Sequence, residues 1–143
     1  MLRLKKTIYG LKQSGRRWYQ KLSSIFNSLG FLKCSVDQAV FYKLNKPKNK
    51  VTVVTVHVDD CTIAASTPHL VEDFKAGLRE HVEVTDLGEL HWMLDIEIKR
   101  DRDARTIHLS QHAYIDSILR RYNFDELKPL STSMDPSIRL TME

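Results

Sequence analysis

Residues 51–65 read Val-Thr-Val-Val-Thr-Val-His-Val-Asp-Asp-Cys-Thr-Ile-Ala-Ala, and this stretch decides the fold. Residues 51–58 are almost entirely apolar or β-branched, which is typical of a strand with little exposed surface. A second strand-like run, residues 61–65, follows the acidic pair. Two such runs around a short polar break predict an antiparallel hairpin, with Asp59 and Asp60 at its exposed turn.

A helix and a strand are predicted before this hairpin. From Arg16 to Leu29 apolar residues recur at helical spacing, and Gly30 supplies a stop signal. Residues 38–44 then read as a strand, and the polar loop of residues 45–50 is of the kind that joins antiparallel strands.

After the hairpin, Thr67 and Pro68 predict the start of a helix that runs to about His81, because they supply a capping residue and a proline at the first helical position. Three further strands are predicted, over residues 82–84, 90–99 and 106–109. The last two of these form a second predicted hairpin.

The C-terminal part of the chain begins with Ser110, which is expected to cap a final amphipathic helix. Pro129 and Pro136 then predict an irregular tail without regular secondary structure. The order helix, strand, strand, helix, strand, strand, helix favours an α+β fold, an antiparallel sheet covered by helices on one side. A length of 143 residues with 42% apolar composition predicts one globular unit over residues 1–143.

The net charge of +4 hides an asymmetry along the chain. Residues 1–50 hold twelve Lys and Arg against one Asp, a formal charge of +11, and residues 51–143 hold ten against seventeen acidic residues, a charge of −7. A basic segment beside an acidic one suits a protein that holds a polyanion with one part and places carboxylates near it with the other. A solvated basic surface is the competing interpretation.

The pair Asp59-Asp60 is a candidate metal site because two adjacent carboxylates repel one another unless a cation or solvent meets them. Their hard oxygen atoms suit Mg²⁺, which binds few protein carboxylates together with water and substrate phosphates. Taken alone, an Asp-Asp pair in a hairpin is more often turn chemistry.

Residues 4–19 mix cations, aromatic rings and a glutamine amide immediately before and into the basic helix. Such a mixture suits phosphates, bases and sugar hydroxyls. Trp18 lies on the apolar face of that helix, which favours a core position over base stacking, whereas Arg16 and Arg17 are free to reach a ligand.

No function is predicted for the remaining reactive side chains. Cys34 and Cys61 are too few for a disulfide framework and are expected to be reduced, partly packed thiols. His108 and His112 have a spacing seen in zinc sites, but the sequence offers no partner ligands near them. No run approaches the roughly 18 apolar residues of a membrane span, so the expected setting is intracellular, without a membrane partner.

Five segments in order resemble the reverse transcriptase of copia-type retrotransposons. Residues 9–19 are similar to its pattern Tyr-Gly-Leu-Lys-Gln-(Ala/Ser)-Pro-Arg-x-Trp-Tyr, and residues 58–60 to its Tyr-Val-Asp-Asp box. Residues 86–98 resemble Asp-Leu-Gly-Glu-Leu-x-(Tyr/Phe)-Phe-Leu-Gly-Ile-Glu-(Ile/Val). Residues 109–111 together with 114–115, and then residues 128–132, resemble the segments that follow. The resemblance implies a partial polymerase palm.

The resemblance also implies roles for particular residues. Asp59 and Asp60 fall on the catalytic pair that the family uses with two Mg²⁺ ions, and Gln13 falls near the incoming nucleotide. The implied partners are an RNA template, a DNA primer, deoxynucleotide triphosphates and the remainder of a polyprotein. The residues expected to contact nucleic acid are those of the basic segment and of the hairpin that grips the primer: Lys12, Arg16, Arg17, Leu90, His91 and Trp92.

Three departures from the family pattern bear on activity. His57, Gly15 and Asp95 stand where the family has tyrosine, proline and glycine. A further catalytic Asp of the family belongs to a strand well upstream of Tyr9, so the two-metal site is expected to be incomplete in this chain.

Two other interpretations follow from these departures: a non-catalytic nucleic-acid-binding remnant, and an inert remnant that needs more chain to fold. The leading hypothesis is a reverse transcriptase domain fragment that is inactive alone. Reverse transcription in such elements is expected in cytoplasmic particles, and the sequence leaves a particle or nuclear location open.

Overall fold

The computed structural model describes residues 4–124, 126–128 and 131, so the predicted tail around Pro129 and Pro136 lies outside the described residues. The chain divides into two compact units, Met1–Leu87 and Gly88–Glu143. The first unit contains helices α1 (Ser14–Ser28) and α2 (Pro68–Arg79) and strands β1 (Leu32–Lys33), β2 (Val40–Asn45), β3 (Lys50–His57) and β4 (Asp60–Ala65). A short 3₁₀ helix, Lys46–Lys48, joins β2 to β3.

The four strands of the first unit form one antiparallel sheet in the order β1-β2-β3-β4. Phe41, Val54 and Ile63 are register partners on three neighbouring strands, so their side chains share one face. Phe41 and Val54 are fully buried there, and this face of the sheet forms the core.

Helices α1 and α2 supply the other half of this core. Phe26 lies at its centre, with its ring centroid 4.8 Å from that of Phe41 and 5.4 Å from that of Phe74 on α2. Leu22 and Leu78 are buried beside them. The helix predicted from residue 16 to residue 29 is thereby confirmed, and its apolar stripe is the face that packs on the sheet.

The ends of the two helices match their predicted signals in part. Gly30 follows α1 with φ +81°, a left-handed conformation that glycine adopts without strain. Pro68 begins α2, as predicted, but the side chain of Thr67 makes no capping hydrogen bond, and its hydroxyl oxygen is buried without a hydrogen-bond partner. The helix ends at Arg79, two residues before the predicted His81.

The second unit contains strands β5 (Trp92–Met93), β6 (Ile96–Asp101) and β7 (Thr106–Ser110) and helix α3 (His112–Arg121). The strands form an antiparallel sheet in that order. The predicted pairing of the later strands is confirmed as β6 with β7. Ser110 is the last residue of β7, and its hydroxyl accepts a hydrogen bond from the backbone N–H of His112, at the start of α3.

Two of the strands predicted after α2 are wrong. Residues 82–84 form no strand, although Val82 and Val84 pack against the core of the first unit. Residues 90–99 are not one strand, because the chain reverses at Leu94 and Asp95, which have φ of +52° and +60°. Two central residues with positive φ make the tight turn of a β-hairpin, so β5 and β6 are separate strands.

The molecule is therefore an α+β protein built on antiparallel sheets, as predicted. The predicted cover of helices on one side of a sheet is confirmed for the first unit, where α1 and α2 contribute Leu22, Phe26, Phe74 and Leu78 to the core. The described part of the second unit contributes none of the buried apolar residues. All of the described core thus belongs to the unit that carries Asp59 and Asp60.

Candidate active site at the β3–β4 hairpin

Asp59 and Asp60 lie where β3 passes into β4. His57 and Asp60 are the last register partners of the two strands, which leaves Val58 and Asp59 as a two-residue turn. Both aspartates are exposed to solvent. The predicted exposed antiparallel hairpin is confirmed, but its turn lies one residue earlier than predicted: Val58 and Asp59 form the turn, and Asp60 is the first residue of β4.

Val58 holds the turn in an unusual backbone conformation. Its φ is +56°, whereas Asp59 is not among the residues with positive φ. A hairpin turn with positive φ only at its first central residue normally has glycine there. For a residue with a Cβ atom this conformation costs about 1–2 kcal/mol, so other contacts must maintain it.

Trp18 makes such a contact from helix α1. Its indole Nε1–H donates a hydrogen bond to the backbone oxygen of Val58 at 2.9 Å. The ring is half-buried and packs against the core, which confirms the interpretation of Trp18 as a core residue. A hydrogen bond of this kind contributes about 0.5–1.5 kcal/mol, the same order as the strain at Val58.

The two faces of the sheet differ at the hairpin. Val56 and Cys61 are register partners on the face that packs on the helices, and both pack against the core. His57 and Asp60 are partners on the opposite, open face, because side chains alternate along a strand. The carboxylate of Asp60 therefore lies on the side of the sheet that faces away from α1 and α2.

The surroundings of Cys61 raise the pKa of its thiol. Burial raises the pKa of the Cys61 thiol to about 11, and the negative charge of Asp60 adds to the effect. Cys34 and Cys61 are both free, partly buried thiols, as predicted.

The donor chemistry at the turn is of the kind that magnesium prefers. Asp59 and Asp60 offer hard carboxylate oxygens in open solvent, where an ion keeps most of its water ligands. Over the described residues, no group of three or more His, Cys, Asp or Glu side chains is placed to hold a metal ion. Asp37 accepts a hydrogen bond from the backbone N–H of Ala39, and Asp95 lies in the other unit. The segment of Asp37 lies beside β3, since the oxygen of Ala39 accepts the N–H of Val56, but Asp37 joins no metal-binding group of three side chains among the described residues.

The start of α1 carries the other predicted contacts of this unit. Gln13 caps the helix without a side-chain capping bond, and its amide is exposed. Lys12, Arg16 and Arg17 are also exposed. Trp18 contacts the turn, and because a helix rises 1.5 Å per residue, the first turn of α1 begins about 6 Å along the helix axis from Trp18.

Leu90, His91 and Trp92 belong to the second unit. All three are exposed, and Trp92 pairs with Glu97 at the start of the β5–β6 hairpin. The backbone oxygen of His91 accepts a hydrogen bond from the N–H of Ile98 at 2.8 Å. This short hairpin presents an aromatic ring and a histidine to solvent.

The sequence analysis missed the link between Trp18 and Val58. Forty residues separate the two, and an indole N–H carries no sequence signal of its partner. A valine before Asp59 does not predict a left-handed backbone conformation either, since β-branched residues are the ones least expected to adopt it.

Comparison with known proteins gives matches along nearly the whole chain. Residues 1–136 match the family described as "Reverse transcriptase (RNA-dependent DNA polymerase)". The chain is 34% identical over 139 residues to the retrovirus-related Pol polyprotein from transposon TNT 1-94 of Nicotiana tabacum, an alignment that covers 97% of this chain and 10% of the relative. It is 36% identical over 140 residues to the corresponding polyprotein from transposon RE1 of Arabidopsis thaliana, covering 98% of this chain and 9% of the relative.

A more distant relative is the transposon Ty1-DR4 Gag-Pol polyprotein of Saccharomyces cerevisiae, 26% identical over 97% of this chain and 8% of the relative. The chain thus spans about a tenth of the length of these three relatives. No solved structure matches it. Within the described residues, none of the helices has the length and apolar character needed to cross a membrane.

Proposed function

The chain belongs to the reverse transcriptase (RNA-dependent DNA polymerase) family and matches a segment of copia-type Pol polyproteins, and from this premise we propose that it forms part of the polymerase active site. The reaction is extension of a DNA primer by deoxynucleotide triphosphates on an RNA template. Both units belong to one reverse transcriptase domain, and the sheet of the first unit is part of the polymerase palm.

One observation carries this proposal. The acidic pair of the family pattern lies exposed at the tip of a two-stranded hairpin, on a sheet whose other face is closed by α1 and α2. Such a hairpin leaves Asp59 and Asp60 accessible to a nucleic acid and to hydrated cations at the same time.

Asp59 and Asp60 would hold magnesium. When bound, the metal stabilises the attacking and leaving oxygens of an in-line nucleotidyl transfer. The role of the two side chains is to supply hard oxygen ligands and to fix the position of the ion at the turn. Asp60 offers its carboxylate on the open face of the sheet, so the primer terminus is expected on that face.

The remaining candidate residues position the substrates. Gln13 has a free amide at the start of α1, where it can meet the sugar or base of an incoming nucleotide. Exposed cations of the same region, Lys12, Arg16 and Arg17, would meet the phosphates of the template and primer. In the second unit, Leu90, His91 and Trp92 would contact the primer strand, with the ring of Trp92 available for stacking.

Primer extension tests this proposal. The proteins compared are the 143-residue chain, a longer polypeptide that adds an upstream strand bearing a further Asp, and Asp59→Asn variants of both. Two neighbouring carboxylates leave a second ion short of protein ligands, so we expect no measurable extension by the chain alone. The longer polypeptide should extend the primer, and Asp59→Asn should reduce its rate by about 100-fold or more.

A matched control is Asp73→Asn in the longer polypeptide, because Asp73 is an exposed carboxylate on α2 that pairs with His69 at the surface. It should leave the rate unchanged. Extension by the short chain that disappears in Asp59→Asn would keep the function and refute the expected incompleteness. Extension that is indifferent to Asp59 would refute the role of the pair.

A non-catalytic nucleic-acid-binding module is the second candidate, and the charge of +11 on residues 1–50 favours it. Salt-dependent binding of a primed template without nucleotide incorporation, even by the longer polypeptide, would decide for this alternative.

A further inference from the structure

The peptide between Val58 and Asp59 is fixed from outside the hairpin. Its carbonyl oxygen accepts the indole N–H of Trp18 at 2.9 Å. A peptide unit is planar, so a bond that orients this oxygen also orients the N–H and the Cα atom of Asp59. The direction in which the Asp59 side chain leaves the turn is thus coupled to a residue on helix α1.

The conformation at Val58 needs such a constraint. At φ +56° a β-branched residue is strained, and without a contact to hold it the backbone would relax toward the extended region that valine prefers. The ring of Trp18 is itself held by packing against the core, so its N–H is a fixed donor.

We propose that Trp18 is a positioning residue for the metal-binding pair: its indole N–H holds the strained Val58 peptide and so sets the direction of the Asp59 and Asp60 carboxylates. This inference rests on the proposed function, because it takes the pair to be the magnesium site. The role of Trp18 is indirect, since the only atom of the turn that it is shown to bind is the Val58 oxygen.

The neighbouring residue offers a matched control. Tyr19 donates its hydroxyl to the backbone oxygen of Gln38 at 2.6 Å, in the segment before β2. Trp18 and Tyr19 are therefore adjacent, half-buried aromatic residues of one helix that each bind one backbone carbonyl. Only the bond of Trp18 reaches the acidic turn.

The experiment uses ¹⁵N-labelled chain and Mn²⁺ as the probe. Trp18→Phe keeps an aromatic ring in the core but removes the donor, and Tyr19→Phe removes the control hydrogen bond. In the unaltered chain we expect the indole N–H of Trp18 to exchange with solvent more slowly than that of Trp92, the only other tryptophan. In Trp18→Phe the amide resonances of residues 57–61 should shift, and Mn²⁺ affinity, read from paramagnetic broadening at those amides, should fall by about tenfold.

Tyr19→Phe should leave Mn²⁺ affinity within about twofold of the unaltered chain. A rescue variant separates positioning from general stability. Val58→Gly makes positive φ the preferred conformation of a two-residue hairpin turn, so it removes the need for an external constraint. The double variant Trp18→Phe, Val58→Gly should recover most of the lost affinity, whereas Tyr19→Phe, Val58→Gly should differ little from Val58→Gly alone.

Three results would overturn the proposal: equally fast exchange of the two indole N–H groups, equal effects of Trp18→Phe and Tyr19→Phe on residues 57–61, or no rescue by Val58→Gly. The exchange measurement needs no variant, so it decides even if Trp18→Phe does not fold. Absence of Mn²⁺ binding in the unaltered chain would instead count against the metal role in the proposed function. The indole exchange and the amide shifts would still show whether Trp18 sets the turn.

Discussion

At the scale of single residues, Cys61 reports on the electrostatics of the acidic turn. It directly follows Asp60, and its pKa is raised to about 11 by burial and by the charge of that aspartate. Cys34 differs, because hydrogen bonds with the backbone at Asp37 and Val36 lower the pKa of its thiol. The thiolate is the reactive form of cysteine, so the two residues should differ strongly in reactivity.

We predict that iodoacetamide at pH 8 alkylates Cys34 at least about tenfold faster than Cys61, because a thiol with a pKa near 11 is only about 0.1% thiolate at that pH, and the greater nucleophilicity of that thiolate offsets only part of the difference. Mass spectrometry of timed samples measures both rates. Cys34→Ser and Cys61→Ser variants isolate each thiol in turn. Equal rates at the two positions would contradict the burial and charge assigned to Cys61.

The same thiol should respond to magnesium. The charge of Asp60 raises the pKa of Cys61, so a cation bound at Asp60 lowers it and increases the thiolate fraction at a given pH. We expect Mg²⁺ to accelerate alkylation of Cys61 by roughly two- to threefold, a modest effect because the charge acts partly through solvent. Cys34 serves as the internal control, and Asp60→Asn should abolish the response. An unchanged Cys61 rate at saturating Mg²⁺ would count against a cation at this aspartate.

At the scale of elements, local sequence patterns predicted those elements whose apolar residues face a core. Helix α1 follows from the spacing of Leu22, Ile25 and Phe26, and the β3–β4 hairpin follows from two apolar runs around a polar break. The pattern failed at residues 82–84, where Val82 and Val84 pack against the core without forming a strand, and at residues 90–99. Alternation from residue 90 to residue 99 hid the turn at Leu94 and Asp95, since neither residue is the glycine or asparagine that marks such turns.

The β5–β6 turn leads to a prediction of its own. Asp95 has φ +60°, a conformation that glycine adopts without cost, so Asp95→Gly should stabilise the hairpin by about 0.5–1 kcal/mol. Hydrogen exchange at the Ile98 amide, which donates to the His91 oxygen, should slow by roughly two- to fivefold. Asp103→Gly is the control: Asp103 lies in the β6–β7 turn without positive φ, so glycine there should destabilise. Faster exchange in Asp95→Gly would show that the side chain of Asp95 stabilises the turn.

At the scale of the whole molecule, the charge asymmetry could be predicted from the sequence, because it is a matter of composition. The division into two units could not be predicted, because it depends on which apolar residues contact one another in the fold. Phe26, Phe41 and Phe74 come together from three elements of the first unit, whereas Leu109 and Ile115 of the second remain exposed. One domain over residues 1–143 stays a prediction.

The basic N-terminal segment should make nucleic-acid binding steeply dependent on salt. Residues 1–50 carry a formal charge of +11, and Lys12, Arg16 and Arg17 are exposed just before and at the start of α1, the helix whose Trp18 contacts the hairpin. Each phosphate neutralised releases counterions and contributes about −0.9 to the slope of log affinity against log salt. We therefore predict weak, sequence-independent binding to RNA or to an RNA–DNA hybrid, measured by fluorescence anisotropy between 50 and 200 mM salt.

Neutralising the exposed cations of this segment tests where the phosphates bind. The five residues to substitute by Gln are Lys5, Lys6, Lys12, Arg16 and Arg17. Their substitution should flatten the slope by about 3 to 4, since each lost phosphate contact removes a little under one. The control set consists of three exposed arginines of the second unit, Arg100, Arg102 and Arg105. Neutralising them removes a similar kind of charge and should change the slope by about 1 at most. If both sets flatten the slope equally for each charge removed, binding follows net charge alone. If affinity does not change with salt at all, the basic segment is a solvated surface, and the nucleic acid must be held by other residues.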